Sequence, residues 1–388
     1  MSFETHVPAS KGSERKEKHL AICTDPSRFQ VEGGPPGFAG IHFLHDALPE
    51  IAAVDLDTGV SFLGGRVPMP FFISCMTGGS EGGFRANRTL AAAAQELGIP
   101  VGLGSIRVLL SEPELFPHFH IKPLAPDVPV LANIGAVQVR DGDRAVLLKT
   151  VERLEAQALV VHLNPGQELF QEDGDRDFRG LKEGLRRLID GSPVPVIVKE
   201  TGFGIGPGLV REILADGAAY VDIAGAGGTN WISVESYRLE GGDREAAGEF
   251  SDWGMPTSLL LAALGGRQPR LLASGGIRTG MDAAKSLALG AELAGLALPA
   301  IRAAVDGGQE AVVALYRRLQ QTLRAVMIMT GSRTVADLRN GTTWLQPAFA
   351  AEADALRRAW DIHDGRNRKG GGRAAPRARA RAGKASNV

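Results

Sequence analysis

The middle of the chain alternates short apolar runs with longer segments of helical periodicity. Eight of these runs are apolar without alternation, which is typical of strands buried on both faces of a parallel sheet. The intervening segments 86–98, 143–156 and 280–290 repeat apolar residues at helical spacing. The eight strands are predicted to end near Cys75, Leu103, Asn133, His162, Lys199, Ile223, Ser274 and Ala297.

Most successive strand ends lie 23 to 37 residues apart, which leaves room for one strand, one helix and two loops. Eight such units over about 230 residues predict an α/β protein built as a (β/α)8 TIM barrel. A doubly wound open sheet is the structural alternative. The count of eight favours the barrel, and so do the polar residues that follow nearly every strand.

Other segments are predicted to surround this barrel. Residues 1–68 form an N-terminal extension or cap, and residues 69–360 form the barrel with its C-terminal helices. Within the extension, segment 52–65 predicts a hairpin with an Asp-x-Gly turn that plugs the bottom of the barrel. The interval from Ile223 to Ser274 is too long for a plain connection and predicts a loop over the site. The composition of residues 361–388, low in apolar residues and rich in Gly, Ala and Arg, predicts a disordered basic tail.

Composition and charge narrow the class of protein. The 388 residues include two cysteines, which fit a reducing, cytoplasmic location better than a disulfide scaffold. No signal-peptide pattern or spanning apolar run is visible, so no membrane association is expected. Residues 365–388 hold eight basic residues and no acid, which leaves 35 basic and 44 acidic residues, or −9, elsewhere. The tail leaves weak nucleic-acid binding open, but it lacks interleaved aromatic residues, and no nucleic-acid partner is expected.

Two glycine-rich segments predict a phosphate-binding site. In residues 271–280 a strand ends in Ser-Gly-Gly-Ile-Arg, and a helix then begins near Thr279. Glycine backbone and helix N-terminal N–H groups bind anions, and Arg278 adds a charged donor. Residues 225–229, Gly-Ala-Gly-Gly-Thr, follow a neighbouring strand. Because the loops after the last two strands are the usual phosphate site of a barrel, a phosphorylated ligand is predicted here.

Polar side chains also follow the other strands. Lys199 ends an otherwise apolar strand, where a cation needs either a salt bridge or an anionic ligand. Glu168 closely follows three polar residues, and a lone carboxylate beside phosphate suits Mg²⁺. On residue type alone, the basic cluster near Arg15 is a solvated run. The candidates around the predicted strand exits, all polar except Met76, are Ser74, Met76, Thr77, Ser105, Arg107, Asn133, His162, Asn164 and Gln167.

Together these segments resemble the type 2, FMN-dependent isopentenyl-diphosphate delta-isomerases. The matching motifs run in the family's order from about residue 11 to residue 340. Three residues depart from the family's pattern: Ile106 replaces a usual Gln, Thr201 lies in a Val-Lys-Glu-Val position, and Asn230 stands where Ser is common. The motifs are R-K-E-K-H-L (15–20), S-C-M-T-G-G (74–79), G-S-I-R (104–107), A-N-I-G (132–135), H-L-N-P-G-Q-E (162–168), G-D-R-D-F-R-G (174–180), V-K-E-T-G-F-G-I (198–205), G-A-G-G-T-N-W (225–231), D-W-G-M-P-T (252–257) and A-S-G-G-I-R (273–278).

The resemblance implies a barrel that holds FMN across its C-terminal face and interconverts isopentenyl and dimethylallyl diphosphate in isoprenoid biosynthesis. NADPH is the implied reductant of the FMN, Glu168 the implied ligand of Mg²⁺, and a homo-oligomer the expected assembly. The implied cofactor-binding residues are Cys75, Met76, Thr77, Ser105, Asn133, Lys199, Thr229, Gly276, Ile277, Arg278, Ala297 and Leu298. The implied substrate-binding residues are Arg15, Lys16, Ser105, Ile106, Arg107 and Gln167, and the implied catalytic residues are His162, Asn164 and Gln167.

The reaction adds a proton at C4 of the substrate and removes one from C2. We expect reduced FMN to act as the acid and base, while Gln167 and His162 orient the substrate. The main alternative is an FMN-dependent oxidoreductase of 2-hydroxy acids, which needs a basic histidine near a strand end. Segment 163–362 contains no histidine, which disfavours that alternative. A flavin- or phosphate-binding sensor with a nucleic-acid-binding tail is a second alternative, which the polar ring at the barrel mouth disfavours.

Overall fold

The structure is a computed structural model that describes residues 11–265 and 268–370. Its largest sheet is a closed barrel of eight parallel strands, preceded by a hairpin and flanked by a small antiparallel pair. The strands are β1 (Ile41–Phe43), β2 (Val60–Phe62), β3 (Gly65–Val67), β4 (Phe71–Ile73), β5 (Val101–Ser105), β6 (Val130–Gly135), β7 (Ala158–Leu163), β8 (Val196–Glu200), β9 (Tyr220–Asp222), β10 (Leu271–Ala273), β11 (Leu293–Leu296) and β12 (Thr343–Leu345).

The barrel runs from β4 to β11, and β11 pairs back with β4 to close it. Each of the eight predicted strand ends lies within two residues of an observed one. The barrel strands are almost entirely buried, because side chains of the barrel interior cover one face and helices cover the other. The predicted (β/α)8 fold is therefore confirmed, and the open sheet is excluded.

Helices alternate with the barrel strands and surround them. Several begin at caps that are readable in the sequence: the Ser80 hydroxyl accepts from Gly83 N, and Thr279 forms a capping box with Asp282. The helices are α1 (Lys11–Thr24), α2 (Glu81–Leu97), α3 (Ala136–Asp141), α4 (Arg144–Arg153), α5 (Pro165–Phe170), α6 (Leu181–Gly191), α7 (Pro207–Ala215), α8 (Trp231–Ser236), α9 (Gly241–Gly248), α10 (Thr257–Leu264), α11 (Gly280–Ala288), α12 (Leu298–Met329, kinked at Gly307–Gly308), α13 (Val335–Leu338) and α14 (Pro347–Gly370).

The hairpin β2–β3 closes the lower end of the barrel. Its side chains Phe62 and Val67 are buried in one cluster with barrel-interior residues such as Phe72 and Leu131. The prediction of a plug is confirmed, but the predicted turn is wrong. The strands reverse at Leu63–Gly64, whose φ values of 50° and 80° suit a two-residue hairpin turn, and not at the Asp-x-Gly segment.

Two further segments differ from expectation. The long interval after β9 is not a plain loop, since it contains α8 and α9. The last helix, α14, continues to Gly370, so residues 361–370 are helical where disorder was predicted. The rest of the predicted tail, 371–388, lies outside the described residues. Among the helices that the structure describes, none is both long and apolar enough to cross a membrane.

Candidate active site

A cavity of about 290 Å³ opens at the C-terminal ends of the barrel strands. Residues that follow every one of the eight strands line it, and α1 contributes a further wall. Eighteen of the twenty predicted site residues line this cavity: Arg15, Lys16, Cys75, Met76, Thr77, Ser105, Arg107, Asn133, His162, Asn164, Gln167, Glu168, Lys199, Thr229, Gly276, Arg278, Ala297 and Leu298. The chain therefore brings together, at one barrel end, residues separated by up to 283 positions.

Two predicted residues do not line the cavity. The side chains of Ile106 and Ile277 are 0% and 1% exposed and pack in the hydrophobic core. The Ile106 side chain therefore does not face the cavity, and the predicted role of Ile106 in substrate binding stays a prediction. Ile277 contributes a backbone carbonyl instead, which accepts from the Arg278 guanidinium at 2.9 Å.

The two glycine-rich loops pack directly against each other on one side of the cavity. A Cβ at Gly228 would lie 2.6 Å from Gly276 N, and Gly276 itself has a φ of +74°. Only glycine permits this backbone and this approach. Helix α12 begins beside the loops, at Leu298, without a side-chain cap on its first N–H groups. This side of the cavity is thus a backbone cradle suited to a phosphate.

Arg278 lies beside the cradle but is already paired. Its Nε donates to Glu32 Oε1 at 2.8 Å, and its terminal nitrogen contacts the same oxygen. The other oxygen of Glu32 lies 3.2 Å from Arg302. Burial opposes ionisation of Glu32, but the two guanidiniums outweigh it, and the pKa of this carboxyl lies below its ordinary value. No local pattern points to Glu32, because its partners are about 250 residues away.

The opposite side of the cavity is cationic. Arg15 and Lys16 come from α1, and Arg107 follows β5. Lys16 Nζ donates to the Ser105 carbonyl at 3.2 Å and lies 5.3 Å from the centre of the Phe119 ring. Burial, helped by the charges of Arg15 and Arg107, lowers the pKa of Lys16 to about 7. Such mutually repelling cations are the arrangement that a polyanionic ligand would stabilise.

A polar wall connects the two sides. Asn133 Oδ1 lies 2.9 Å from His162 Nδ1, and burial together with Lys199 and Arg107 lowers the pKa of His162 to about 3. His162 is therefore neutral at physiological pH. Asn164 Nδ2 donates to Glu168 Oε1 at 3.0 Å and to Gln167 Oε1 at 3.1 Å. These contacts fix the Glu168 carboxylate, which is only 6% exposed, at the cavity wall.

Behind Gln167 lies a network that sequence reasoning missed. Gln167 Nε2 donates to Glu235 Oε1 at 3.0 Å, and His19 Nε2 lies 3.0 Å from the same oxygen. Burial opposes ionisation of Glu235, but His19, Gln167 and Arg238 outweigh it and lower its pKa. The His19 ring meets the Trp231 ring edge-on at 5.4 Å. Gln167 is therefore oriented by Glu235 of α8, which in turn pairs with His19 of α1, a residue that itself lines the cavity.

The cavity fits a phosphorylated, hydroxyl-bearing or heterocyclic ligand such as FMN. Ser74 and Thr201 line it, and the hydroxyl oxygen of each is buried without a hydrogen-bond partner. Buried polar atoms normally have hydrogen-bond partners, so a bound ligand or water would supply the missing partner of each hydroxyl. Over the described part of the chain, no group of three His, Cys, Asp or Glu could hold a metal ion. A magnesium ion at Glu168 would therefore need ligand oxygens as well.

Fold and site together define a (β/α)8-barrel protein with two sides suited to anions in one cavity. Residues 254–345 match the family of FMN-dependent dehydrogenases. The chain is 39% identical to the isopentenyl-diphosphate delta-isomerase of Borrelia garinii subsp. bavariensis, over 90% of this chain and 98% of that protein. It is 40% identical to the Pyrococcus abyssi protein of the same name, over 84% and 90%. The chain belongs to the isopentenyl-diphosphate delta-isomerase family.

A likeness to solved structures extends to the fold alone. A flavocytochrome b2 variant solved with sulfite bound is 18% identical, with a TM-score of 0.61 over 86% of this chain and 84% of that one. Barrels with this likeness serve different reactions, so the function has to be argued from the site.

Proposed function

We propose that this protein interconverts isopentenyl diphosphate and dimethylallyl diphosphate, with reduced FMN in the barrel mouth. Membership of the isomerase family supports the reaction, and the match to FMN-dependent dehydrogenases supports the cofactor. The observation that carries the proposal is the pairing of two unlike anion sites in one cavity. A backbone cradle on one side suits a cofactor phosphate, and a cationic wall on the other suits a diphosphate.

In this proposal the cationic wall binds the substrate. Arg15, Lys16 and Arg107 would hold the diphosphate, which relieves their mutual repulsion. Glu168 would bind Mg²⁺ together with diphosphate oxygens, since one carboxylate with phosphate oxygens is a common magnesium site. This anchoring would fix the position of the double bond and supply much of the catalytic effect through orientation.

The polar wall would position the isoprenoid chain. Neutral His162 holds no transferable proton on Nε2 when Asn133 accepts from Nδ1, so it would orient substrate and not protonate it. Gln167, held by Glu235, would do the same from the next position. Reduced FMN, once bound, would supply the proton donor and acceptor for C4 and C2. Lys199 and the cradle residues Thr229, Gly276 and Arg278 would hold it.

Anaerobic turnover tests the proposal directly. Purified protein loaded with FMN and reduced by NADPH or dithionite should convert isopentenyl diphosphate only when Mg²⁺ is present. NMR in deuterated water would follow label entry at C4 and C2. A protein that binds and reduces FMN but shows no label exchange would contradict the reaction. Reduction by dithionite but not by NADPH would contradict NADPH as the direct reductant.

Glu168→Gln separates the metal site from the cofactor site. The substitution removes the negative charge but keeps an acceptor for Asn164. We expect FMN content to remain unchanged, while turnover at limiting Mg²⁺ falls at least tenfold. Glu172→Gln, a carboxylate outside the cavity lining, is the control and should match the unmodified protein. Unchanged turnover of Glu168→Gln at limiting Mg²⁺ would contradict the assignment.

The oxidoreductase alternative has weaker support. Its solved relatives share the fold at under 20% identity. The chain has no histidine in segment 163–362, and His162 is held neutral. Anaerobic mixing with lactate or mandelate should therefore leave oxidised FMN unreduced.

A further inference from the structure

A pair of buried charges lies at the floor of the cavity. Lys199 and Asp222 are register partners on β8 and β9 and are 8% and 1% exposed. Lys199 Nζ lies 3.8 Å from Asp222 Oδ2. Barrel interiors are normally filled with branched apolar side chains, and burying charges is costly even when they are paired. A pair at this depth therefore needs an explanation beyond stability.

Neighbouring groups hold both charges in place. The Ser274 hydroxyl lies 2.9 Å from each carboxylate oxygen of Asp222. The backbone N–H of Ser274 donates to Asp222 Oδ1 at 3.0 Å. Lys199 Nζ donates to the Glu200 carbonyl at 2.6 Å. Ser274 directly precedes the glycines of the phosphate cradle. Asp222 is thus hydrogen-bonded to the residue that precedes the cradle glycines, and it reaches the lysine as an ion pair at 3.8 Å.

The two charges face different spaces. Lys199 lines both the open cavity and a void of about 10 Å³ beneath it, inside the barrel. Asp222 lines the lower void but not the open cavity. A ligand in the cavity therefore meets the ammonium first, with the carboxylate behind it. The charge that such a ligand experiences is that of an ion pair and not that of a lone cation.

We propose that Asp222 offsets the charge of Lys199 at the cofactor site. This inference rests on the proposed binding of FMN. A cation beside the flavin ring favours the anionic reduced form, and a carboxylate behind the cation weakens that preference. Asp222 would therefore hold the preference for reduced over oxidised FMN below the value that Lys199 alone would set. Asp222 touches neither substrate nor cofactor in this arrangement.

The ratio of affinities for reduced and oxidised FMN measures this effect without any turnover. Asp222→Asn should raise the ratio about tenfold, which is about 30 mV in the two-electron midpoint potential. Lys199→Gln should lower the ratio, and the double variant should lie between the two. Asp216→Asn is the matched control, because it removes a carboxylate from an ion pair with Arg186 outside the barrel. It should leave the ratio unchanged.

Each outcome bears on the proposal. A ratio for Asp222→Asn within twofold of the unmodified protein would overturn it while leaving the proposed function intact. If the unmodified protein binds no FMN, both are overturned. If Asp222→Asn does not fold, the double variant carries the test, because it removes both buried charges together and leaves neither unpaired. A ratio in the double variant equal to that of Lys199→Gln would also overturn the proposal.

Discussion

The two sides of the cavity that are proposed to bind anions are built in different ways. The cradle side consists of backbone from two interlocked glycine loops, and its arginine, Arg278, is neutralised by Glu32. On the wall opposite, the side chain of Lys16 donates to a neutral carbonyl, and burial and the neighbouring arginines lower its pKa although Glu112 opposes them. One side is complete before any ligand arrives, whereas the other is electrostatically strained until an anion binds.

This contrast fits the different tasks of a retained cofactor and a substrate that turns over. A rigid backbone cradle loses little entropy on binding and favours retention. Side-chain cations on a separate helix bind through charge, which gives fast association and a dependence on pH and salt. The following predictions test this division, in order of decreasing effect.

Gly276→Ala should abolish the cradle. The added Cβ would lie 2.7 Å from the Gly227 backbone, at a φ of +74° that side chains rarely adopt. We expect FMN to bind at least about a hundredfold more weakly, measured by flavin fluorescence titration. Gly242→Ala, where a Cβ meets nothing within 4 Å, is the control. Normal FMN affinity in Gly276→Ala would mean that the phosphate binds elsewhere.

Arg107→Gln should weaken substrate binding at the cationic side and leave FMN binding unchanged. Loss of one charge-assisted contact to a diphosphate costs about 2 kcal/mol, so KM should rise about thirtyfold. FMN affinity should not change, because the cradle is built from other strands. Arg85→Gln, which removes an exposed arginine paired with Glu81, is the control. A parallel loss of FMN would show that the two sides are not independent.

The pH dependence of kcat/KM should show the titration of Lys16. Because its pKa is lowered to about 7, Lys16 is a cation below that pH and neutral above it. The value of kcat/KM should therefore fall as pH rises from 7, by up to about tenfold per unit. Lys16→Arg should remove this limb, since arginine stays protonated. An identical limb in Lys16→Arg would assign the titration to another group.

Glu32→Gln should have the smallest effect. Removing this partly exposed carboxylate frees Arg278 and Arg302 for the phosphate, so FMN should bind about threefold more tightly. Raising the ionic strength should diminish the gain, because the new attraction is exposed to solvent. Isothermal titration at two salt concentrations measures both effects. Weaker binding would instead mean that Glu32 serves mainly to orient Arg278.

Much of the fold and of the site was readable from the chain. Apolar runs located all eight barrel strands, since a strand buried on both faces leaves a continuous signal. The hairpin turn was misplaced because Asp57 does accept a local bond from Gly59, although the strands reverse later. Ile106 and Ile277 were assigned by their place inside motifs, whereas the turns there direct both side chains into the core.

Glu235, Glu32 and Asp222 were not predicted, and the reason differs from that for the misplaced turn and the two isoleucines. Glu235 acts through His19, and Glu32 through Arg278, so each pair is separated by more than 200 positions. Local pattern carries no signal for such pairs, and a buried carboxylate looks like any other acidic residue until its partners are known. Asp222 was equally hidden, because it reads as the last residue of an ordinary strand.

The hairpin β2–β3 has a kinetic consequence. Because Phe62 and Val67 fill the lower end of the barrel, ligands exchange at the upper mouth. Substrate and product differ only in the position of one double bond. Both enter and leave the cavity through the upper mouth of the barrel. Accumulating product should therefore slow the forward reaction competitively, because product that occupies the cavity blocks the one entrance available to substrate.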